Sequence, residues 1–377
     1  MTVHISGTGI GRFGRRSESA IDLGAEAAAE ALEMVGRKTI DLVVVGNMLH
    51  EALGGETNLA PRLASRLGLE HASALRVDAT SASGVAAFQT AVMALESGRY
   101  NRALVVATEK MTERPTAEVT RALALALAPE EYRTGATMAG LAAMVGQRYA
   151  ERYELDNGAF DLVSVHDREG AARNPNAQFP STVTAEEVRT SRMVASPLRL
   201  LHCASIADGA TAVVLERGNG PVEVRGFGQG LETFRVIDRI DLTTFAATRA
   251  AAKEAYEMAR ITRKELEVVE LHDAFAPFAF IDLEDIGVAG PGEAPRWYAE
   301  GWVGRDGRLP VNPSGGVLGR GHPVGTSSLC EIAEVARQIS GTAGAHQLAH
   351  IPKTGLAQSI GGLATQCFVT ILGAGER

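Results

Sequence analysis

The stretch from Asn312 to Gly341, NPSGGVLGRGHPVGTSSLCEIAEVARQISG, sets a histidine in a glycine-rich turn immediately ahead of a long amphipathic run. Gly315, Gly316, Gly319 and Gly321 admit backbone conformations that a Cβ would forbid, so the chain can double back tightly beneath a ligand. Pro323 fixes φ just inside a helix start, and Leu329, Ile332, Ala333, Ala336 and Ile339 follow at helical spacing. His322 therefore stands at the positive end of a helix. A second helix start has the same layout: SASG at Ser81 to Gly84 opens a run carrying Val85, Phe88, Val92 and Leu95 and ends at Gly98, as HPVG at His322 to Gly325 opens one that ends at Gly341. A hydroxyl and an imidazole at equivalent helix starts would face one cleft if the two segments pack together. Both residues also fit structural roles, since serine is common near helix caps and a histidine in a glycine loop often only packs.

Positioning them requires an alternation of strands and helices. Val3 to Ser6 reads as a short strand, Ala20 to Met34 as an Ala- and Glu-rich helix, and Leu42 to Val45 and Arg102 to Thr108 as apolar strands buried on both faces. Gly9, Gly11 and Gly14 satisfy G-x-G-x-x-G, but no suitably placed strand ends in an acidic residue some twenty positions later, so a dinucleotide site is not expected. Asp208 to Ala210 precede another strand, TAVVLE, and GNGP makes a turn near Gly218 to Pro221. EALEM at Glu30 to Met34 is then echoed by EAYEM at Glu254 to Met258. A repeat this long implies two similar α/β halves, residues 1–110 completed by 198–220, and 221–377, with an insertion over 111–197. The strand Arg102 to Thr108 is apolar enough to be central or to pair across an interface.

With 377 residues, 45% apolar and 22% charged, the chain can bury a large core. A net charge of −8 gives no whole-chain attraction to nucleic acid or acidic lipid, and no apolar run is long enough to span a membrane. The start MTVHISGTGIG lacks a signal-peptide pattern, so a cytoplasmic location is expected. Cys203, Cys330 and Cys367 have neither disulfide nor zinc-site spacing; reduced thiols and no metal are expected.

These residues resemble the thiolase superfamily, in particular the sterol-carrier-protein-type thiolases and their archaeal relatives, over nearly the whole chain. The likeness rests on N-x-x-G-G at Asn312 to Gly316, G-H-P-x-G at Gly321 to Gly325, H-D-A-F-A at His272 to Ala276, D-G-A at Asp208 to Ala210, and the turn at Ser81 to Gly84. It implies a five-layered α/β/α/β/α fold built from two duplicated halves. It also implies catalytic roles for Ser81, His272, His322 and Ser359, and oxyanion contacts from Ser81, Gly361, His272 and His322. Substrate contacts are implied near Asn312, Gly315, Gly316 and Gly325. The resemblance further implies a homodimer, a coenzyme A thioester as substrate with no other cofactor, and an insertion that covers the active site and lines a pantetheine tunnel. Members of this branch also recruit a small OB-fold protein with a zinc ribbon.

One departure is central, because the family's nucleophile at position 81 is cysteine and the second cysteine, at position 359, is also replaced by serine. A thiol near pKa 8.5 ionises readily beside a helix N-terminus, whereas a serine must lose its proton to a base such as His322 during attack. His272 could serve as base or oxyanion donor, or simply be a satisfied core histidine. The leading expectation is an acyltransferase acting on acyl-CoA or acyl-carrier thioesters through Ser81. The alternatives are an acyl-CoA retro-aldolase or lyase without covalent catalysis, thioester hydrolysis, and a non-catalytic scaffold subunit. Residues 173–178 would meet polar parts of the ligand or form a solvated loop.

Overall fold

The computed structural model describes residues 2–36, 39–156 and 158–375. The first half runs β1 (Val3–Ile10), α1 (Ala20–Met34), β2 (Leu42–Gly46), α2 (Leu59–Arg66), β3 (Ser73–Val77), α3 (Ser83–Glu96) and β4 (Arg102–Glu109). Helices α4 (Thr116–Ala124), α5 (Pro129–Arg133), α6 (Met138–Arg152), α7 (Asp161–Ala171) and α8 (Ala185–Thr190) then precede a small hairpin of β5 (Met193–Ala195) and β6 (Leu198–Arg199). Strand β7 (Gly209–Arg217) returns to the first half. The second half comprises β8 (Val222–Leu231), α9 (Ala246–Ala259), β9 (Val268–Glu270), α10 (Ala276–Asp285) and α11 (Ala294–Ala299). It closes with α12 (Gly316–Arg320), α13 (Val324–Ser340), β10 (Thr354–Gly361) and β11 (Gln366–Ala374).

The main strands lie in the order β3-β2-β4-β7-β1-β8-β11-β10-β9. Each half repeats one pattern. In the first, β3, β2 and β4 are parallel, and β7 and β1 continue antiparallel. In the second, Val311 bridges β9 in parallel, β9 pairs parallel with β10, and β11 and β8 continue antiparallel. The half-sheets meet where His4 and Ile5 of β1 pair with Glu223 and Val222 of β8. Helix α1 covers the outside of the first half-sheet, α9 the outside of the second, and α3 and α13 pack against each other between them. This is the five-layered arrangement, with a middle core that joins Val85, Phe88, Leu329, Ile332, Val105 and Phe368.

Glycines explain how closely the outer helices seat. A Cβ on Gly9 would lie 1.9 Å from the Ala27 carbonyl oxygen of α1, and one on Gly230 would lie 2.0 Å from that of Ala247 in α9. Strand β1 therefore continues to Ile10 rather than stopping at Ser6, because its glycines make a groove for a helix. Of the G-x-G-x-x-G match, Gly9 is accounted for by that packing while Gly11 and Gly14 lie beyond β1, and the echo of EALEM in EAYEM falls on the equivalent helices α1 and α9. Strand β4 lies inside the sheet between β2 and β7, so it has no free edge for pairing across an interface. Among the described residues, no helix is long and apolar enough to cross a membrane.

Candidate active site

Ser81 lies in the turn between β3 and α3, His272 just beyond β9, and His322 between α12 and α13. All three line one narrow pocket, together with Ile360 and Gly362 at the end of β10. The strands leading to Ser81 and His272 belong to the parallel sets, so the pocket opens at strand carboxyl ends, where α/β sheets leave room for ligands. The opposite wall is apolar: Met111, Leu123 and Met138 come from the insertion, Ile206 from the chain after β6, and Phe275 and Phe278 from the start of α10. The insertion thus lies against the pocket.

The two histidines are 5.1 Å apart between ring centroids and meet edge to face. His272 is buried, its Nδ1 2.7 Å from Glu331 Oε1 and its backbone N–H donating to Gln358 Oε1 at 3.1 Å. His322 Nδ1 is 2.8 Å from Ser327 Oγ, and its backbone N–H donates to the Ser205 carbonyl at 2.8 Å. Burial, then the neighbouring His272 and Arg320, hold the His322 imidazole well below the usual histidine range. It is neutral at physiological pH. Ser81 Oγ has no hydrogen-bond partner among the described residues.

The neutral His322 couples to folding. Its native imidazole stays uncharged where the unfolded one, with an ordinary value of 6.5, takes a proton. Below pH 6.5 the unfolded chain therefore binds more protons at this site, and the site's contribution to stability falls as pH falls, by about 1.4 kcal/mol per pH unit. Buried carboxyls act the other way: Glu109, Glu270 and Asp285 are each pushed up to about 7 by burial. The difference between the wild type and His322→Gln isolates the histidine. Denaturant melts at pH 7, 6 and 5 are expected to show the variant gaining on the wild type with each step into acid; parallel curves would refute a neutral His322.

Other residues singled out in the sequence support the pocket without lining it. Ser359 is fully buried in β10 and donates its hydroxyl to Glu331 Oε2, behind His272. Gly361 abuts the serine turn: a Cβ there would lie 2.7 Å from the Ala79 carbonyl oxygen. Asn312 ties the glycine turn to the strand before His272, its Oδ1 accepting from Leu271 N at 2.7 Å. Cβ atoms on Gly315 and Gly316 would collide with Ala171 of α7 and with Asp273 and Asp167, so these glycines let the turn seat against the insertion. Gly325 sits against Glu109 and the backbone of Met48. Segment 173–178 is a loop anchored in part: Arg173 and Pro175 are exposed, whereas Asn174 is buried and donates to the Ser314 carbonyl and to Glu334, and Gln178 N donates to the Arg320 carbonyl.

Asp208 of the D-G-A stretch clamps the beginning of the insertion, accepting from Met111 N at 2.6 Å and Thr112 N at 2.7 Å and pairing with Lys110 Nζ at 2.8 Å. The cysteines supply no thiolate chemistry, since burial pushes Cys203 and Cys330 up to about 12 and Cys367 well above its ordinary value. His202, beside Cys203, is engaged by Asp161 at 2.9 Å. Among the described residues, no cluster of three or more His, Cys, Asp or Glu could hold a metal ion. The residue that sequence reasoning missed is Glu331.

The "Thiolase, N-terminal domain" family profile matches residues 1–219, and "Thiolase C-terminal domain-like" matches residues 228–374. The chain belongs to the thiolase family. The acetyl-CoA acetyltransferase of Methanothermobacter thermautotrophicus is 37% identical over 351 residues, 90% of this chain and 91% of that protein. The benzoylsuccinyl-CoA thiolase subunit BbsB of Thauera aromatica is 33% identical over 376 residues, 96% of this chain and 94% of that one. Among solved structures, the Ltp2-ChsH2(DUF35) aldolase superposes with a TM-score of 0.83 at 25% identity, covering 99% of this thiolase-family chain and 98% of its own.

Proposed function

We propose that this thiolase-family protein is an enzyme of acyl-CoA thioesters that breaks or makes the bond between C2 and C3 of the acyl group by proton transfer, as a lyase of the retro-aldol type. The observation that carries the reading is the pairing of two facing histidines, each with one ring nitrogen engaged by a protein group, beside a Ser81 hydroxyl to which neither histidine is hydrogen-bonded. In the cleavage direction a base takes the proton of a 3-hydroxyl, the bond between C2 and C3 breaks, and C3 becomes a carbonyl. The electron pair passes to the thioester enolate, which is then protonated at C2. Hydrogen-bond donors around the thioester oxygen stabilise the enolate in a site walled off by apolar side chains. The similarity to a structure named an aldolase supports this reading.

Acyl transfer through Ser81 is the second reading. It is favoured by the acetyl-CoA acetyltransferase relative and by the place of Ser81 beside a helix N-terminus in the same pocket. The family's insertion would take the pantetheine arm in either case. That a relative is named as a subunit, and that the aldolase structure joins two proteins, supports a second small chain as partner; a homodimer and a cytoplasmic location belong to the same proposal.

The deciding experiment incubates the protein with acetyl-CoA and with a tertiary 3-hydroxyacyl-CoA, following intact mass and released products. Cleavage of the hydroxyacyl substrate to a ketone and a shorter acyl-CoA, without a mass adduct, is the expected result. An acyl adduct that disappears in Ser81→Ala would replace it with acyl transfer.

A further inference from the structure

Glu331 occupies an unusual place for an acidic residue. It lies mid-way along α13, fully buried; among the described residues no arginine or lysine is in salt-bridge contact with it, Arg320 acting on it only at longer range, and its two carboxylate oxygens are divided between Nδ1 of His272 and the hydroxyl of Ser359. An ionised carboxylate only accepts hydrogen bonds, and the Ser359 hydroxyl donating to Oε2 fits that state. The ring nitrogen facing Oε1 must then carry a proton. This fixes the tautomer of His272, leaving the lone pair of the neutral ring on Nε2, which has no partner among the described residues. The backbone of His272 is held as well, through Gln358, whose amide group is itself bonded to buried Asp282 at 2.9 Å.

His322 has no such partner. Its Nδ1 meets the hydroxyl of Ser327, a neutral group that can donate or accept and does not balance a charge on the ring. The two imidazoles that share the pocket therefore differ in what stands behind them: a buried carboxylate for one, a hydroxyl for the other.

We propose that Glu331 is a positioning residue that makes His272, rather than His322, the proton acceptor of the pocket, and that Ser359 acts through Glu331 and not on substrate. This rests on the proton-transfer reading of the pocket and divides the labour within it. When His272 Nε2 takes a proton from substrate, the new imidazolium is held by a carboxylate already in hydrogen-bond contact, so charge develops where a counter-charge waits. His322 remains neutral and serves as a hydrogen-bond donor or packing partner. Ser359 keeps the carboxylate turned toward His272 by occupying its second oxygen.

Two measurements on the full chain test this. Histidine-labelled ¹⁵N protein without substrate is expected to show a strongly deshielded Nδ1 proton that vanishes in His272→Ala and in Glu331→Gln. Acetyl-CoA in heavy water is the second probe, with deuterium entry at C2 followed by mass. Glu331→Gln is expected to slow exchange roughly 10²-fold, and Ser359→Ala by only several-fold. Glu331→Asp, which keeps the charge, is expected to recover part of the loss. A deshielded proton indifferent to Glu331→Gln overturns the inference, as does a loss in Ser359→Ala as large as that in Glu331→Gln. If acetyl-CoA does not exchange even in the wild type, the proton-transfer reading of the pocket fails, while the Nδ1 resonance still decides whether Glu331 fixes His272.

Discussion

His272→Ala is expected to lower turnover of a 3-hydroxyacyl-CoA by roughly 10²- to 10⁴-fold, the range that a general base contributes. Its backbone is anchored by Gln358 and its ring is buried between β9 and α13, so the alanine leaves the fold in place and removes the group that receives the proton. The vacated Glu331 carboxylate then lacks its main partner and retains only Ser359. Some stability is lost with it, and activity should therefore be read well below the melting temperature of the variant. Ser81→Ala supplies the contrast. In a lyase without an acyl-enzyme it should change turnover by no more than several-fold, because the hydroxyl takes no proton and forms no bond to carbon. A collapse of turnover in Ser81→Ala matching that in His272→Ala would mean that the serine carries the acyl group. Steady-state kinetics on the two variants, side by side, separate these outcomes.

The second large effect concerns the crossing of α3 and α13, which brings the serine turn and His322 to one pocket. Gly84 is the contact point: a Cβ there would lie 2.7 Å from the Gly325 carbonyl oxygen and 2.8 Å from Leu329 N. Both obstacles are backbone atoms of a helix buried between two half-sheets, so neither can swing aside. Gly84→Ala is expected to cost about 3 kcal/mol or more, at or above the upper end for adding atoms to a packed core. It should also reduce activity even where the protein remains folded, because displacing α13 moves Glu331 and the His322 turn relative to His272. Gly68, in a left-handed turn with open space around it, provides the control: Gly68→Asn should cost less than about 1 kcal/mol. Denaturant melts that rank the two alike would show that the crossing is not tight.

Much of this was legible before any coordinates. The paired helix starts at Ser81 and His322, the apolar strands Leu42 to Val45 and Arg102 to Thr108, and the echo of Glu30 to Met34 at Glu254 to Met258 foretold two halves stacked around a shared layer. Local pattern failed where tertiary packing decided. Glycines at the end of β1 read as a loop, although they are strand residues thinned to admit α1. Asn312, Gly315 and Gly316 brace the turn against the strand before His272 and against α7, packing that the motif alone did not foretell. Glu331 escaped notice for a related reason. At helical spacing it falls away from the Leu329, Ile332 and Ala336 stripe and reads as a solvated position. A helix clasped between two sheets has no solvated side, and the inferred duplication was the clue to that.

Every residue of α13 except Ser340 is buried, and Glu331 projects from the middle of this helix. The wall opposite, with Met111, Leu123 and Met138, belongs to an insertion whose Leu141, Tyr149 and Phe160 share a core with Phe280 of the second half and which Asp208 and Asn174 clamp. Methionine and leucine side chains repack with little penalty, whereas a change along α13 disturbs both sheets at once. Over evolutionary time such a molecule can alter what it accepts by drift in the insertion while its reactive groups stay where they are. Substitutions in the insertion can then change the acyl group accepted without moving His272, His322 or Glu331.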